Sequence, residues 1–164
     1  MEILSRGAAE MGLELTARQM DQFGTYHVEL ADWNQRANLT AITERREVQV
    51  KHFLDSLTVL LAYPAGLPAT TRLVDVGAGA GFPSLPLKLL YPDLRVSLVE
   101  STGKKTQFLE HLLGVLGLSG VEVWKGRAEE LAHSPELREG FDLVLSRGVA
   151  KLPPSWSTPC PSAA

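Results

Sequence analysis

Three glycines stand at alternate positions in the stretch DVGAGAGFP, Asp75 to Pro83. They follow a short apolar run and precede a proline. Glycine tolerates positive φ and carries no side chain, so such a turn lets a ligand press against bare main chain. Glu100 closes the next apolar stretch, 23 residues after Gly77. A carboxylate at that point of an α/β unit accepts hydrogen bonds from ribose hydroxyls. Loop and acid together point to a cofactor that contains a nucleoside. The dinucleotide spacing G-x-G-x-x-G is not met, because Phe82 stands where its third glycine would fall. A nucleotide P-loop is excluded, since no Gly-Lys-Ser/Thr ends the turn. A glycine turn that serves packing alone is the competing reading of the loop.

These residues need elements to position them. Leu73 to Val76, Arg95 to Val99, Val121 to Trp124 and Phe141 to Leu145 read as strands. Between them, Phe82 to Tyr91, Lys104 to Leu116 and Arg127 to Ala132 read as helices. Strands alternating with helices predict an α/β fold with a doubly wound, mainly parallel sheet. In such a sheet ligands bind at the carboxyl ends of the strands, where Asp75 and Glu100 fall. Upstream, Thr16-Ala17-Arg18-Gln19 has the form of a capping box. Met20, Phe23, His27, Leu30 and Trp33 or Asn34 continue it at helical spacing to about Gln35. A second amphipathic stretch places Val50, Phe53, Leu54, Leu57, Leu60 and Leu61 on one face. Residues 1–68 therefore read as an N-terminal helical cap, 69–150 as a Rossmann-like core, and 151–164 as a tail. That tail, KLPPSWSTPCPSAA, holds four prolines in fourteen residues and reads as disordered.

An acid in the first strand, a G-x-G-x-G turn and an acid closing the second strand look like the S-adenosylmethionine pocket of class I methyltransferases. The match is narrower than that. Trp33-Asn34 with Asn38-Leu39-Thr40, then His52-Phe53-Leu54-Asp55-Ser56-Leu57, then the glycine loop, then Ser146-Arg147-Gly148-Val149-Ala150 occur in one order. In this the chain resembles the 16S ribosomal RNA guanine-N7 methyltransferase G family, also called glucose-inhibited division protein B, from about Leu13 to Ala150. The motifs around Trp33 and His52 lie outside the core shared by all class I enzymes and are the specific part of the likeness.

The resemblance implies a cytoplasmic, S-adenosylmethionine-dependent enzyme, monomeric, that methylates a guanine N7 in 16S ribosomal RNA or the small subunit. It implies that Gly77, Gly79 and Phe82 line the cofactor site and that Glu100 holds the ribose. Ala128 and Glu129 would flank the adenine, and Arg147 would stand at the active-site mouth. Guanine N7 carries a lone pair and no proton, so the transfer needs no general base. It needs donor and acceptor held in line, and Arg147 is a candidate to grip phosphate or guanine O6 meanwhile. His52 and Asp55, three apart on one helical face, face RNA or cofactor on one reading and orient the cap on the other. Trp33 and Asn38 read as residues that hold the cap on the core. Arg45-Arg46 and Lys104-Lys105 are candidate phosphate contacts.

The chain departs from the family pattern twice. Ser84 replaces a glycine usual after the loop proline. The family's further helix and three strands are replaced by the proline-rich tail, as in a truncation. Phe141, Leu143 and Leu145 are then expected on an open edge, with lowered stability and impaired methylation. A catalytically silent chain that at most binds S-adenosylmethionine is the second reading, and a nicotinamide oxidoreductase the third.

The remaining features bound the answer. Length 164 is about one domain. Net charge −3 argues against a protein that coats nucleic acid by charge alone. Cys160 is the one cysteine, so no internal disulfide is expected. No second histidine or cysteine stands at ligand spacing from His52, so no metal is expected. Nothing resembles a signal peptide or a membrane-spanning run, and the Asn38 sequon is left without a role.

Overall fold

The computed structural model describes residues 1–134, 137 and 140–148. The predicted tail and the end of the Ser146–Ala150 motif lie outside the described residues.

Four strands form one parallel sheet: β1 (Arg72–Val76), β2 (Arg95–Glu100), β3 (Val121–Lys125) and β4 (Leu143–Ser146). Their spatial order is β3-β2-β1-β4. Asp75 pairs with Leu98 on one side and Leu145 on the other, which brings the carboxyl ends of β1, β2 and β4 level. Helix α5 (Ser84–Leu90) links β1 to β2, α6 (Gly103–Leu116) links β2 to β3, and the short α7 (Ala128–Leu131) follows β3. The expected α/β class and parallel sheet are both met. Two boundaries differ. Phe82 lies in the turn, not in the helix, because the positive-φ glycines at 77, 79 and 81 keep the chain irregular as far as Pro83. Phe141 stands before β4, beneath the Arg72 guanidinium at 5.5 Å.

β4 is an end strand of the described sheet. Leu143 and Leu145 are half-buried against the core, whereas Val144 is 63% exposed. Side chains alternate between sheet faces, so the exposed apolar group is Val144 and not the leucines expected there.

The N-terminal region is helical throughout. α1 (Glu2–Glu10), which the sequence reading did not place, buries Leu4 and Ala8 completely. α2 (Ala17–Ala37) begins in the predicted capping box: Gln19 N–H donates to Thr16 Oγ1 at 3.3 Å, and Thr16 N–H to Gln19 Oε1 at 2.8 Å. It buries Phe23, Tyr26 and Leu30. α2 is tied to the core by amides from Gln19 to Leu89 O and from Gln22 to Leu116 O, each at 3.0 Å.

The second cap segment is less regular than predicted. α3 (Arg45–Val48) runs into a π-helical stretch (Gln49–Leu54), then α4 (Asp55–Leu57), then a 3-10 turn (Thr58–Ala62). Its buried residues are Val48, Gln49, His52, Phe53, Ser56, Leu57 and Leu60. They repeat every four residues. A strict 3.6-residue period would rotate that set off one face, and the wider π turn keeps it in line. The predicted apolar face is thus corrected: Val50 is 44% and Leu61 63% exposed, while polar Gln49, His52 and Ser56 face inward. Each finds a partner. Gln49 Oε1 accepts from Leu4 N–H at 3.3 Å, and Ser56 Oγ donates to His52 O at 2.5 Å. Cap residues Leu4, Phe23 and Phe53 share one hydrophobic cluster with Leu73, Leu98 and Phe108 of the core.

Candidate active site

The glycine turn is built by backbone hydrogen bonds before any ligand is considered. Gly77 and Ala78 both donate to Val99 O, at 2.9 and 3.0 Å. This pins the turn to the end of β2. Glu100, 5% exposed, braces it further. One carboxylate oxygen accepts from Gly79 N–H at 2.9 Å and the other from Thr102 N–H at 2.8 Å. The acid expected to face a ribose is here a strut between the two turns that follow β1 and β2.

Beside that strut opens a cleft of about 410 Å³, at the carboxyl ends of β1, β2 and β3. Gly77, Val99, Ser101, Ala128 and Glu129 are among its lining residues. Of the residues predicted to hold a cofactor, Gly77, Ala128 and Glu129 line this cleft. Gly79 and Glu100 stand behind its wall as the bonded pair just described. Phe82 and Arg147 belong to a second group at its side.

That second group is a stack of rings capped by a cation. Phe82 stacks with both Tyr26, at 5.2 Å and 3°, and His52, at 4.5 Å and 7°. The Tyr26 hydroxyl, buried with its ring, donates to Ala80 O at 2.5 Å within the glycine turn. Arg147, arriving from the end of β4, sets its guanidinium 5.4 Å from the Phe82 ring centre. Its Nη1 donates to Asp55 Oδ2 at 2.7 Å and to Lys51 O at 3.3 Å, and its Nη2 meets His52 Nδ1 at 2.9 Å. His52 and Asp55 thus neither stand free nor bond only within the cap: together they hold the arginine of the core.

The charge states follow from these contacts. A guanidinium only donates, so His52 Nδ1 must be the acceptor and carries no proton. The ring proton then sits on Nε2 and is donated to Thr40 Oγ1 at 2.8 Å. Burial, then the Arg147 charge, push the imidazole down to about 4, with Asp55 pulling the other way. Thr40 is fixed in turn by Asn34, whose amide oxygen accepts from Thr40 N–H at 2.9 Å and whose amide nitrogen donates to Thr40 O at 3.0 Å. Asn38 ends α2 in the left-handed region at φ 48°. Trp33 packs at 5.8 Å on Phe108 of α6. The motif around Trp33 thus seats the cap and aims Thr40 at His52.

Below the turn lies Asp75, fully buried. Ser84 Oγ donates to its Oδ2 at 2.6 Å, while Oδ1 has no partner among the described residues. Burial pushes this carboxyl up to about 6, against the Ser84 hydrogen bonds and Arg147, which lower it. Ser84, the departure at the glycine position, is thus the acid's partner. Tyr26 was missed in the sequence, although it stands three residues after Phe23 and its buried hydroxyl needed a partner; Thr40 stood there as part of the motif around Trp33 but was given no role. Arg45, Arg46 and Lys104 are exposed, with Lys104 Nζ 3.3 Å from Arg36 O. No cluster of three potential metal ligands forms among the described residues. No described helix is long and apolar enough to cross a membrane.

The family described as GidB, rRNA small subunit methyltransferase G, matches residues 19–158. The chain belongs to this family. It is 49% identical over 152 residues to the ribosomal RNA small subunit methyltransferase G of Roseiflexus castenholzii, covering 93% of this chain and 64% of that one. The protein of the same name from Dehalococcoides mccartyi is also 49% identical over 152 residues, with 93% and 63% covered. The chain thus spans somewhat under two thirds of the length of the curated relatives it matches. A putative O-methyltransferase from Klebsiella pneumoniae has the same fold, with a TM-score of 0.52 at 20% identity over 73% of this chain and 51% of that one. The sheet is that of class I S-adenosylmethionine-dependent methyltransferases. Such methyltransferases use S-adenosylmethionine as the methyl donor. The residues here fit one: a backbone turn held by Val99 and Glu100 borders a cleft at the strand ends.

Proposed function

We propose that this chain carries out S-adenosylmethionine-dependent N7-methylation of a guanine in 16S ribosomal RNA, working in the cytoplasm on the RNA or the small subunit. The observation that carries the reading is the delivery of Arg147 to Phe82, beside a donor cleft lined by Gly77, Ala128 and Glu129. The division into a cap of residues 1–68 and a catalytic core from 69 belongs to this reading.

When bound, S-adenosylmethionine supplies a methyl group on an electrophilic sulfonium. The protein's part is placement. Gly77 and Val99 present bare wall to the adenosyl portion, with Ala128 and Glu129 on the adenine side. Glu100, turned onto Gly79 and Thr102, shapes the turns around the ribose rather than lining the cleft itself. The guanine N7 lone pair attacks without losing a proton, so the site needs no base. Arg147 grips an RNA phosphate or guanine O6. Among the described residues its Nε–H and one Nη2–H take no partner.

The test is radiolabelled methyl transfer from S-adenosylmethionine to 30S subunits and to free 16S RNA, with the product base identified by mass spectrometry. Label in 7-methylguanine is the expected result. Label in another base overturns the N7 assignment. Donor binding by calorimetry without transfer to either substrate leaves the silent reading standing, and binding of NAD instead favours the oxidoreductase.

A further inference from the structure

We propose that His52 is a positioning residue for Arg147: its Nδ1 accepts from the guanidinium and, with Asp55 on the neighbouring nitrogen, fixes the direction in which the free N–H groups meet an anionic oxygen of RNA. The inference rests on the reading of Arg147 as the residue that grips the substrate.

The geometry gives His52 four simultaneous constraints. Phe82 covers one ring face at 4.5 Å. Thr40 Oγ1 takes the Nε2 proton at 2.8 Å and itself accepts from Ile42 N–H at 3.0 Å. Arg147 occupies Nδ1 at 2.9 Å. The π-helical backbone from Gln49 to Leu54 carries the ring, and such turns recur at functional sites. With five donors in a planar fork, an arginine held at two adjacent nitrogens cannot swing. Arg147 is held by Asp55 and Lys51 O on one side and by His52 on the other, so its remaining donors keep one orientation. The alternative, that Asp55 and Lys51 O suffice, leaves the guanidinium held at Nη1 alone, against a carboxylate that is 53% exposed.

Protonation of Nδ1 would set N–H against N–H. The groups around the ring bear on that. Asp55 and Lys51 come from its own helical segment, and Lys51 is paired with Glu47. Arg147 comes from β4, the Thr40 hydroxyl from the loop after α2, and Phe82 from the glycine turn. Tyr26 and Asp75 lie behind Phe82. Burial, then Arg147, the cation in contact, keep the ring neutral.

The test uses the full chain and three variants: His52→Phe, which keeps the stack and loses the acceptor; His52→Asn, whose amide oxygen stands near the place of Nδ1; and Arg147→Ala. Affinity for 16S RNA is measured with calorimetric binding of S-adenosylmethionine as a control. His52→Phe and Arg147→Ala should each weaken RNA binding about tenfold, the scale of one charged hydrogen bond. The double variant should lose no more than Arg147→Ala alone, and His52→Asn should recover most of the loss. Additive losses, or wild-type affinity in His52→Phe, overturn the proposal.

Nitrogen NMR of the folded chain supplies a readout independent of RNA. The expected signals are a neutral His52 with its proton on Nε2, and slowly exchanging Arg147 guanidinium protons that exchange fast in His52→Phe. A His52 proton on Nδ1, or guanidinium exchange unchanged in His52→Phe, sinks the positioning role. If the wild type neither binds 16S RNA nor methylates it, the functional reading fails, while the NMR result still decides whether His52 fixes Arg147.

Discussion

The rings of Phe82 and His52 lie face to face, 4.5 Å apart and 7° from parallel, although one belongs to the glycine turn and the other to the cap. Tyr26 also lies parallel to Phe82, at 5.2 Å and 3°. A single side chain thus joins glycine turn, cap and Arg147, and its removal should be felt in all three.

Phe82→Ala should lower stability by about 3–5 kcal/mol, the usual loss for a buried phenylalanine, since Phe82 is 4% exposed. Denaturant melts measure it. The same variant opens His52 to water, so its titration should move up from about 4 towards the ordinary histidine range. A melt shifted by under about 1 kcal/mol would show the stack to be incidental.

Two glycines of the turn should respond differently to alanine. At Gly79, φ is 60° and an added Cβ would meet only Gly77 O, at an ordinary 3.7 Å. The fold should lose only about 1–2 kcal/mol from backbone strain. At Gly81, φ is 90° and the Cβ would lie 2.5 Å from Leu85 Cδ1 and 2.8 Å from the Tyr26 hydroxyl. Overpacking then adds on the order of 1–3 kcal/mol, and the melt itself should drop. Equal melts for the two variants would contradict the packing described.

Asp75 should make the chain less stable as pH rises. Its folded carboxyl is pushed up to about 6 from an ordinary value near 3.8. Between those values the folded state holds the proton more than the unfolded state does, so stability is greatest below the lower value and is lost as pH climbs through the upper one. His52 works the other way: its folded value of about 4 lies below the ordinary 6.5, so its share is full above 6.5 and declines as pH falls towards 4. Asp75→Asn keeps an acceptor for Ser84 and removes the first effect. The variant should gain melting temperature over wild type at pH 7.5, and the gap should narrow at pH 5. A gap that does not depend on pH would rule out the buried charge.

Glu100→Gln should weaken the donor site. Both carboxylate oxygens accept backbone N–H groups, from Gly79 and Thr102, and an amide can accept at only one. One N–H loses its partner at a cost of about 1–3 kcal/mol. Donor affinity by calorimetry should fall at least tenfold, with a lower melt. Unchanged affinity would argue that the strut is dispensable.

The opened cleft at the strand ends, the parallel order of four strands and the capping box at Thr16 were legible in the sequence because each depends on residues close together along the chain. Glycine spacing dictates a turn wherever that turn ends up. Alternating apolar runs dictate β–α–β units, and a short link leaves a parallel strand few places to go. Gly77, Ala128 and Glu129 were expected as cleft residues from the family resemblance, and all three line the cleft at the strand ends.

What tertiary structure decided was the direction of polar side chains. Glu100 could be placed at the end of β2 from its position, but not its two bonds to backbone N–H groups, which exist only once the turns at Gly79 and Thr102 are folded beside it. Periodicity put Val50 and Leu61 on the buried face of the cap. Packing turned Gln49, His52 and Ser56 inward, because a π turn, invisible to a 3.6-residue pattern, shifts the face. Residues 52, 55, 82 and 147 meet across segments far apart in the chain. Local spacing carries no term for such a meeting, since it is fixed by where the sheet sets the end of β4 against the cap.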